Sequence, residues 1–125
     1  MILGVGIDLI EVARIRDSLG RFGDRLARRI LRPDEFAYCM SHPDPAPFVA
    51  SRFAAKEAVS KAFGTGIGSV LGWQDIEVRR LESGRPEVLL HGAAGEHAKE
   101  RGCRRMHLSL THTVHYASAV AVLED

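Results

Sequence analysis

One long alanine-rich segment, residues 48–63, most constrains how this 125-residue chain can fold. It carries apolar residues through its length, and Gly64 follows it at the position where glycine commonly ends a helix. Three prolines within residues 42–47 precede it, and proline disfavours helix at the residue before it. The pattern predicts one long helix entered from a proline-rich loop. With 46% hydrophobic residues the chain can build one core but not two ordinary domains, so we expect a single domain over residues 1–125.

The remaining segments predict a mixture of short helices and strands. Residues 2–7 form an apolar run with two glycines, typical of a buried strand, which would place Asp8 at a strand end. Helical spacing, helix-start and helix-stop residues, and alternating hydrophobicity define the other elements. These are two helical pieces after Val12, a helix from Pro33 to about Ser41, a helix at 93–101, and strands at 76–79, 88–90, 106–111 and 117–123. We therefore expect an α+β fold with a long central helix packed on an antiparallel sheet.

Positive charge is concentrated in one part of a nearly balanced chain. The net charge is +1, yet residues 14–32 contain seven arginines against two aspartates. Such a patch raises the local concentration of an anionic partner, whether nucleic acid, phosphate or an acidic protein. An ordinary solvated helix face would have the same composition, so charge alone does not choose between these interpretations.

The cysteines and the N-terminus indicate the compartment. Cys39 and Cys103 lack the spacing of a zinc site and do not form a disulfide framework, so we expect free thiols. The N-terminus has no basic leader followed by a sufficient apolar stretch, and charge interrupts every long apolar run. We expect a soluble, cytoplasmic protein that does not enter a membrane.

Two acidic residues far apart in the chain indicate phosphate chemistry. Asp8 follows the first apolar run, Glu57 lies in the long helix, and Lys61 follows Glu57 by one helical turn. Mg²⁺ prefers oxygen ligands and usually takes one or two protein carboxylates, leaving its other positions to water and phosphate. The simpler alternative is an exposed ion pair between Glu57 and Lys61, which are four residues apart on one helix face.

A polar segment near the C-terminus could supply further phosphate contacts. Residues 109–113 carry hydroxyl groups and the imidazole of His112, and both are donors to phosphate oxygens. His112 and His115 do not indicate zinc, because zinc normally needs three or four nitrogen or sulfur ligands. No RNA-binding aromatic motif accompanies the basic patch, so nucleic acid is a weak interpretation.

Four motifs follow one another across nearly the whole chain: Gly6–Ile15, Arg52–Ala58, Phe63–Gly68 and Leu108–His112. Together they resemble the holo-acyl-carrier-protein synthases, the short bacterial class of phosphopantetheinyl transferases. The resemblance implies transfer of the 4'-phosphopantetheine arm of coenzyme A to a serine of an acyl carrier protein, releasing adenosine 3',5'-bisphosphate. It also implies a role in fatty acid biosynthesis, magnesium as cofactor, and a homotrimer with its sites between neighbouring subunits.

The resemblance further implies a role for individual residues. Asp8 and Glu57 would hold the magnesium ion, and Lys61 would contact the pyrophosphate. Magnesium, Lys61 and His112 would stabilise the developing charge, while Glu57 or a magnesium-bound water would accept the serine proton. The residues implied to bind coenzyme A are Arg52, Lys61, Ser109, His112 and Thr113. The residues implied to dock the carrier protein are Arg14, Arg21 and Arg25.

Two other classes of function stay open at this point. A non-catalytic module could use the arginine patch and the hydroxyls of residues 109–113 to bind an anionic nucleotide or nucleic acid. A magnesium-dependent nucleotide hydrolase could use the same acids. Salt-sensitive binding to DNA or RNA without affinity for coenzyme A would favour the first. Release of adenosine bisphosphate without any carrier protein would favour the second.

Overall fold

Five helices and five strands make up the protein in the computed structural model, which describes all of residues 1–125. The helices are α1 (Val12–Phe22), α2 (Asp24–Ile30), α3 (Pro33–Met40), α4 (Ala46–Phe63) and α5 (Ala93–Glu100). The strands are β1 (Ile2–Glu11), β2 (Ile76–Arg80), β3 (Pro86–Leu90), β4 (Arg105–His112) and β5 (Tyr116–Glu124). A single 3₁₀ turn, Trp73–Asp75, leads into β2. The predicted α+β class is confirmed.

Helix α4 is the predicted central helix, and it is buried on almost every side. Of its 18 residues, 13 are buried, and six of these are alanines, which let neighbouring backbones approach closely. It packs on β1 and β5 with its flank against α1. Gly64 ends it in the left-handed conformation, as predicted. The helix begins two residues earlier than predicted, because Pro47 lies in its first turn, where a missing amide donor costs nothing.

The sheet under α4 is antiparallel and has the strand order β1-β5-β4. Along it, Asp8 of β1 lies opposite Ala119 of β5, and Leu110 of β4 lies opposite the same residue. Strands β2 and β3 form a separate hairpin beside β4. The packing of a long helix on an antiparallel sheet is therefore confirmed.

Two glycines of β1 allow the strand to lie directly against α4. A Cβ atom built on Gly4 would lie 2.0 Å from the carbonyl oxygen of Ala62, and one built on Gly6 would lie 1.9 Å from that of Ala58. Real Cβ atoms do not approach oxygen this closely, so only glycine fits at these positions. This close contact brings the next inward-facing residue of β1, Asp8, next to the last two turns of α4.

The prediction of a short buried strand that ends before Asp8 is wrong in two respects. Strand β1 continues to Glu11, so Asp8 lies within the strand rather than at its end. The strand is also buried on one face only, since Val5, Ile7 and Leu9 on the other face are 60%, 62% and 65% exposed. The apolar run is continuous because its outward face is apolar as well as its inward face.

Two predictions about the compartment meet different outcomes. Cys39 and Cys103 are free thiols, as expected, and burial raises the pKa of the Cys39 thiol to about 11. None of the helices is both long enough and apolar enough to cross a bilayer. The cytoplasmic location stays a prediction.

Candidate active site

Asp8, Glu57 and Lys61 meet where β1 crosses the C-terminal half of α4. Lys61 Nζ lies 3.0 Å from Asp8 Oδ1 and donates a second hydrogen bond of 3.2 Å to the carbonyl oxygen of Ile7. The Asp8 side chain is 14% exposed and that of Lys61 is 51% exposed, so the pair lies at the surface with Asp8 on its inner side. The structure thus brings together the three residues that the sequence singled out first.

The alternative of a Glu57–Lys61 ion pair along the helix is wrong. The ammonium of Lys61 pairs with Asp8 from the neighbouring strand, and it forms no ion pair with Glu57. The strand offers Lys61 both a carboxylate and a backbone carbonyl, whereas Glu57 could offer only its carboxylate. Glu57 is left without a direct cationic partner.

The surroundings of Glu57 suit a cation that the chain itself does not supply. Burial raises the pKa of Glu57, the negative charge of Asp8 raises it further, and Lys61 opposes the shift. Two carboxylates that repel each other in a partly buried position are stabilised by a divalent ion. No group of three or more histidine, cysteine or acidic side chains that could hold a metal occurs in the chain. A two-carboxylate site is the donor set expected for magnesium with phosphate, and it does not fit zinc.

Arg52 and His112 line a second site, a cavity of about 290 Å³ beside the N-terminal half of α4. Arg52 is 4% exposed, forms no ion pair, and its buried Nε has no hydrogen-bond partner. His112 is exposed at the end of β4, where its ring packs against Phe48 with ring centroids 5.8 Å apart. An unpaired, buried guanidinium next to an imidazole is suited to an anionic ligand.

Ser109 and Thr113 take different positions from His112. Successive side chains of a strand alternate between its faces, so Ser109 points to the face opposite His112. Ser109 lines an adjoining cavity of about 150 Å³ between β4 and the β2–β3 hairpin, which Arg52 also lines. Thr113 lies in the turn after β4, and its Oγ1 accepts a 3.2 Å hydrogen bond from the backbone N–H of Tyr116. The segment 109–113 therefore does not act as one cluster within a single chain.

We call Asp8 and Glu57 the acidic pair, and the cavity that Arg52 and His112 line the Arg52 site. Within a single chain these two sites lie apart from each other. Phe48, the neighbour of His112, precedes Glu57 by nine residues, or roughly 13 Å along α4. His112 forms no hydrogen bond or ion pair with Asp8 or Lys61. A ligand that contacts both sites must therefore be long, or the two sites must come from different copies of the chain.

The arginine patch divides into paired and free side chains. Some of its arginines are held within the fold: Arg16 by Asp44 at 2.7 Å, Arg28 over the ring of Phe36 at 4.2 Å, and Arg32 by the carbonyl of Gln74 at 2.6 Å. In contrast, Arg14 and Arg25 are exposed on α1 and α2 without an ion pair, and Arg21 lies over the half-exposed ring of Phe22. The predicted docking residues are thus among those without an ion pair, as is Arg29, and their role in docking stays a prediction.

Sequence reasoning missed two residues that shape the second site. Arg80 lines the cavities of both Ser109 and His112, and the tandem Arg79-Arg80 in an otherwise alternating strand was its only signal. The ring of Tyr38 packs against the guanidinium group of Arg52, whose carbon lies 4.4 Å from the ring centroid. Nothing in the sequence near Tyr38 indicates this contact.

The comparisons with known proteins agree with this geometry. Residues 4–119 match the family model of the 4'-phosphopantetheinyl transferase superfamily, and the chain belongs to that superfamily. A curated relative from Koribacter versatilis, named holo-[acyl-carrier-protein] synthase, is 50% identical over 125 residues, with both chains covered completely. The resemblance to the holo-acyl-carrier-protein synthases predicted from the sequence is confirmed.

Solved structures support the same assignment. The holo-[acyl-carrier-protein] synthase of Neisseria meningitidis is 34% identical, superposes with a TM-score of 0.94, and is covered completely, as is this chain. The corresponding enzyme of Helicobacter pylori, solved in complex with coenzyme A, is 32% identical with a TM-score of 0.86, covering 96% of this chain and 99% of that one. The fold is therefore that of these enzymes along its whole length.

Proposed function

We propose that this protein transfers the 4'-phosphopantetheine moiety of coenzyme A to a serine hydroxyl of an apo acyl carrier protein, in support of fatty acid biosynthesis. The observation that carries the proposal is the meeting of Asp8, Glu57 and Lys61 between β1 and α4 in a chain of this superfamily. The products are holo carrier protein and adenosine 3',5'-bisphosphate. The enzyme is a phosphopantetheinyl transferase, and coenzyme A and the carrier protein are its two substrates.

Asp8 and Glu57 are the residues that would hold the magnesium ion. Magnesium, when bound, supplies positive charge that offsets the charge of the pyrophosphate oxygens. The mutual repulsion of the two carboxylates and the raised pKa of Glu57 support this role, because a divalent ion relieves both. The acceptor of the serine proton would be Glu57 or a magnesium-bound water, since the metal lowers the pKa of its bound water.

The reaction exchanges one phosphorus–oxygen bond for another. The serine oxygen forms a bond to the phosphorus next to pantetheine, and the bond from that phosphorus to the departing bisphosphate breaks. Negative charge grows on the departing oxygen, where the half-exposed ammonium of Lys61 is suited to stabilise it. Arg52, Ser109, His112 and Thr113 would bind the other phosphates of coenzyme A, with Arg52 available because nothing in the chain neutralises it.

The decisive experiment is mass spectrometry of an apo fatty-acid carrier protein incubated with this protein, coenzyme A and Mg²⁺. We expect a mass gain equal to one phosphopantetheine group, and we expect none when the magnesium is removed by chelation. Several carrier proteins that all stay unmodified would contradict the proposal. Tight, salt-sensitive binding of nucleic acid in place of transfer would point to a binding module, and bisphosphate release without carrier protein would point to a hydrolase.

The free arginines of α1 and α2 form the surface that we propose for the acidic carrier protein. Arg14, Arg21 and Arg25 have no competing acidic partner within the chain, and the exposed ring of Phe22 adds an apolar contact between them. Charge complementarity of this kind guides association with an acidic partner and stabilises the encounter.

Reversing the charge of this surface should weaken carrier-protein binding and leave coenzyme A binding intact. For Arg21→Glu we expect the KM for carrier protein to rise by about tenfold or more, because an attraction becomes a repulsion. The KM for coenzyme A should stay within about twofold, since Arg21 lies on α1 and forms no ion pair or hydrogen bond with Lys61 or Arg52 of α4. The control is Arg104→Glu, an exposed arginine before β4. Equal changes in both KM values would contradict the assignment.

We also propose that the protein is a homotrimer whose sites combine two subunits. The outward face of the sheet is apolar and uncovered, with Val5, Ile7 and Leu9 exposed on β1 and Tyr116 and Val120 on β5. Monomeric proteins rarely expose a contiguous apolar sheet face. Association through this face would let the Arg52 site of one chain serve the acidic pair of another, which accounts for their separation in a single chain.

Sedimentation analysis should give a mass near three times the 13.7 kDa of the chain, about 41 kDa. Val5→Lys should shift the mass towards the monomer and remove activity together with assembly, because it places a charge in the apolar face. Leu81→Lys, which adds the same charge at a partly exposed residue away from the sheet, should leave the trimer intact. An active monomer would contradict the shared site.

A further inference from the structure

Arg52 makes one directed contact within the chain, with the ring of Tyr38. The side chain is almost completely buried, its Nε has no hydrogen-bond partner, and it takes part in no ion pair. Its guanidinium carbon lies 4.4 Å from the centroid of the Tyr38 ring, within the range of a cation–π contact. A buried guanidinium normally satisfies several donors, so this one is arranged to meet a ligand that the chain does not contain.

Tyr38 belongs to a group of rings that also reaches His112. We call Tyr38, His42 and Phe48 the aromatic cluster. The ring of Tyr38 meets those of His42 and Phe48 edge-on, with centroids 5.0 and 6.0 Å apart, and His42 stacks on Phe48 at 3.6 Å. Phe48 in turn packs against His112 at 5.8 Å. One continuous set of rings therefore supports both Arg52 and His112.

Arg52 and His112 line one cavity together with Arg80. Arg80 is exposed and can move towards solvent, whereas Arg52 is buried and forms no ion pair, although Asp34, Glu35 and Glu77 line a neighbouring cavity with it. The contact with the face of Tyr38 is the one directed contact of the guanidinium within the chain. Such orientation before binding reduces the ordering cost that a ligand would otherwise have to offset.

We propose that the aromatic cluster, with Tyr38 at its centre, is a positioning element that holds Arg52 and His112 towards a common phosphate-binding cavity. The inference rests on the proposed function, because the ligand it serves is the phosphate-bearing part of coenzyme A. Tyr38 acts through its ring rather than through its hydroxyl. The only hydrogen bond between Tyr38 and another side chain is accepted by its backbone carbonyl, from Ser41 Oγ at 2.6 Å.

The test compares Tyr38→Leu with Tyr38→Phe by calorimetric titration of coenzyme A in the absence of carrier protein. Tyr38→Leu removes the ring face, and we expect coenzyme A binding to weaken by about tenfold to thirtyfold, the range of a desolvated cation–π contact. Tyr38→Phe keeps the ring face and should bind within about twofold of the unchanged protein. In turnover assays, Tyr38→Leu should raise the KM for coenzyme A and leave the KM for carrier protein unchanged.

A matched control separates positioning from simple loss of packing. Phe36 lies on the same helix as Tyr38 and makes the same kind of contact, with Arg28 at 4.2 Å, but Arg28, unlike Arg52, does not line the cavity. Phe36→Leu should therefore lower the melting temperature to a similar degree without changing coenzyme A affinity. If Phe36→Leu weakens coenzyme A binding as much as Tyr38→Leu does, the effect is one of stability and the inference is overturned.

A double variant tests whether Tyr38 acts through Arg52. Arg52→Gln alone should weaken coenzyme A binding, and adding Tyr38→Leu should cause no further loss, since the residue that Tyr38 positions is already gone. Losses that multiply would overturn the inference.

Failure of this inference differs from failure of the proposed function. If the unchanged protein does not bind coenzyme A at all, both are overturned. If Arg52→Gln weakens binding while Tyr38→Leu does not, the proposed function stands and the positioning role alone is overturned. Loss of binding in Tyr38→Leu, retained binding in Tyr38→Phe and non-additivity with Arg52→Gln together support the inference.

Discussion

Glu57→Gln is expected to lose almost all transferase activity while folding at least as stably as the unchanged protein. The substitution removes one of the two carboxylates that would hold magnesium, and loss of a single charge-stabilising group at a phosphoryl-transfer site costs about a hundredfold or more in rate. The free energy of unfolding, in contrast, should stay the same or rise. Burial and Asp8 raise the pKa of Glu57, so its charged form is disfavoured in the folded protein, and a neutral amide relieves that repulsion.

The measurement combines the mass-spectrometric transfer assay with thermal unfolding. Asp8→Asn should lose activity to a similar extent, although it also frees Lys61 from its 3.0 Å ion pair and should not gain stability. The double variant should be no worse than either single one, because both residues act through the same ion. Glu100→Gln, an exposed glutamate at the end of α5, provides the matched control.

Two results would count against this account. Full activity of Glu57→Gln at ordinary magnesium concentration would remove the residue from the metal site. A large fall in melting temperature would mean that Glu57 has a structural role instead. Partial rescue of Glu57→Gln by high magnesium would favour metal binding over proton transfer as its main contribution.

The acidic pair could be predicted from the sequence because its determinants are local. Glu57 and Lys61 lie one turn apart on a helix whose alanines and terminal glycine mark it clearly, and Asp8 directly follows an apolar run. The ion pair of Lys61 with Asp8, rather than with Glu57, could not be predicted. It depends on how closely β1 approaches α4, and that distance is set by Gly4 and Gly6, whose role appears only when the carbonyls of α4 lie against them.

The strand that carries Asp8 shows a second limit of sequence patterns. An unbroken apolar run predicts burial on both faces, yet β1 is exposed on one face. Periodicity reports which residues avoid water and does not say whether the chain itself or another copy covers them. The cavities that Arg52 lines are harder still to predict from the sequence. Their walls come from α3, α4, β2 and β4, which are far apart in the chain.

A buried ion pair next to the candidate active site is the main feature of the fold that sequence reasoning missed. Lys56 is completely buried, and its Nζ lies 2.7 Å from Glu35 Oε1. The same ammonium donates to the carbonyl oxygens of Ile30 at 2.6 Å and Trp73 at 3.0 Å. Nothing in the sequence distinguishes Lys56 from Lys61, which lies on the same helix and is 51% exposed, so the burial of Lys56 could not be predicted.

The carboxylate oxygens of Glu35 are hydrogen-bonded as completely as the ammonium group of Lys56. Its carboxylate accepts hydrogen bonds from the backbone N–H groups of Arg32 at 2.7 Å and Val78 at 2.8 Å. The pair thus joins α2, α3, α4, the 3₁₀ turn and β2 around one point. Burial lowers the pKa of Lys56, and the adjacent Glu35 carboxylate opposes that shift. With every donor and acceptor paired, the charges are tolerated in the core.

Lys56→Met should therefore cause the largest loss of stability of any substitution considered. The buried Glu35 would keep its charge without a counter-ion, which costs about 3–5 kcal/mol. In a protein of this size the melting temperature should fall by about 10–20 °C. Lys99→Met makes the same change at a lysine whose side chain is 78% exposed and should change stability by less than about 0.5 kcal/mol.

Adding Glu35→Gln to Lys56→Met identifies the source of the loss. If the uncompensated carboxylate is the main cost, the double variant should regain part of the stability that Lys56→Met loses, because no charge is left buried. Urea unfolding at constant pH measures all three variants on one scale. A double variant that loses the sum of both single changes would instead mean that the hydrogen bonds to Ile30 and Trp73 carry the stability. In that case the main role of Lys56 would be to donate the hydrogen bonds that link the end of α2 and the 3₁₀ turn to α4. The charge of Glu35 would then contribute less to stability than these hydrogen bonds.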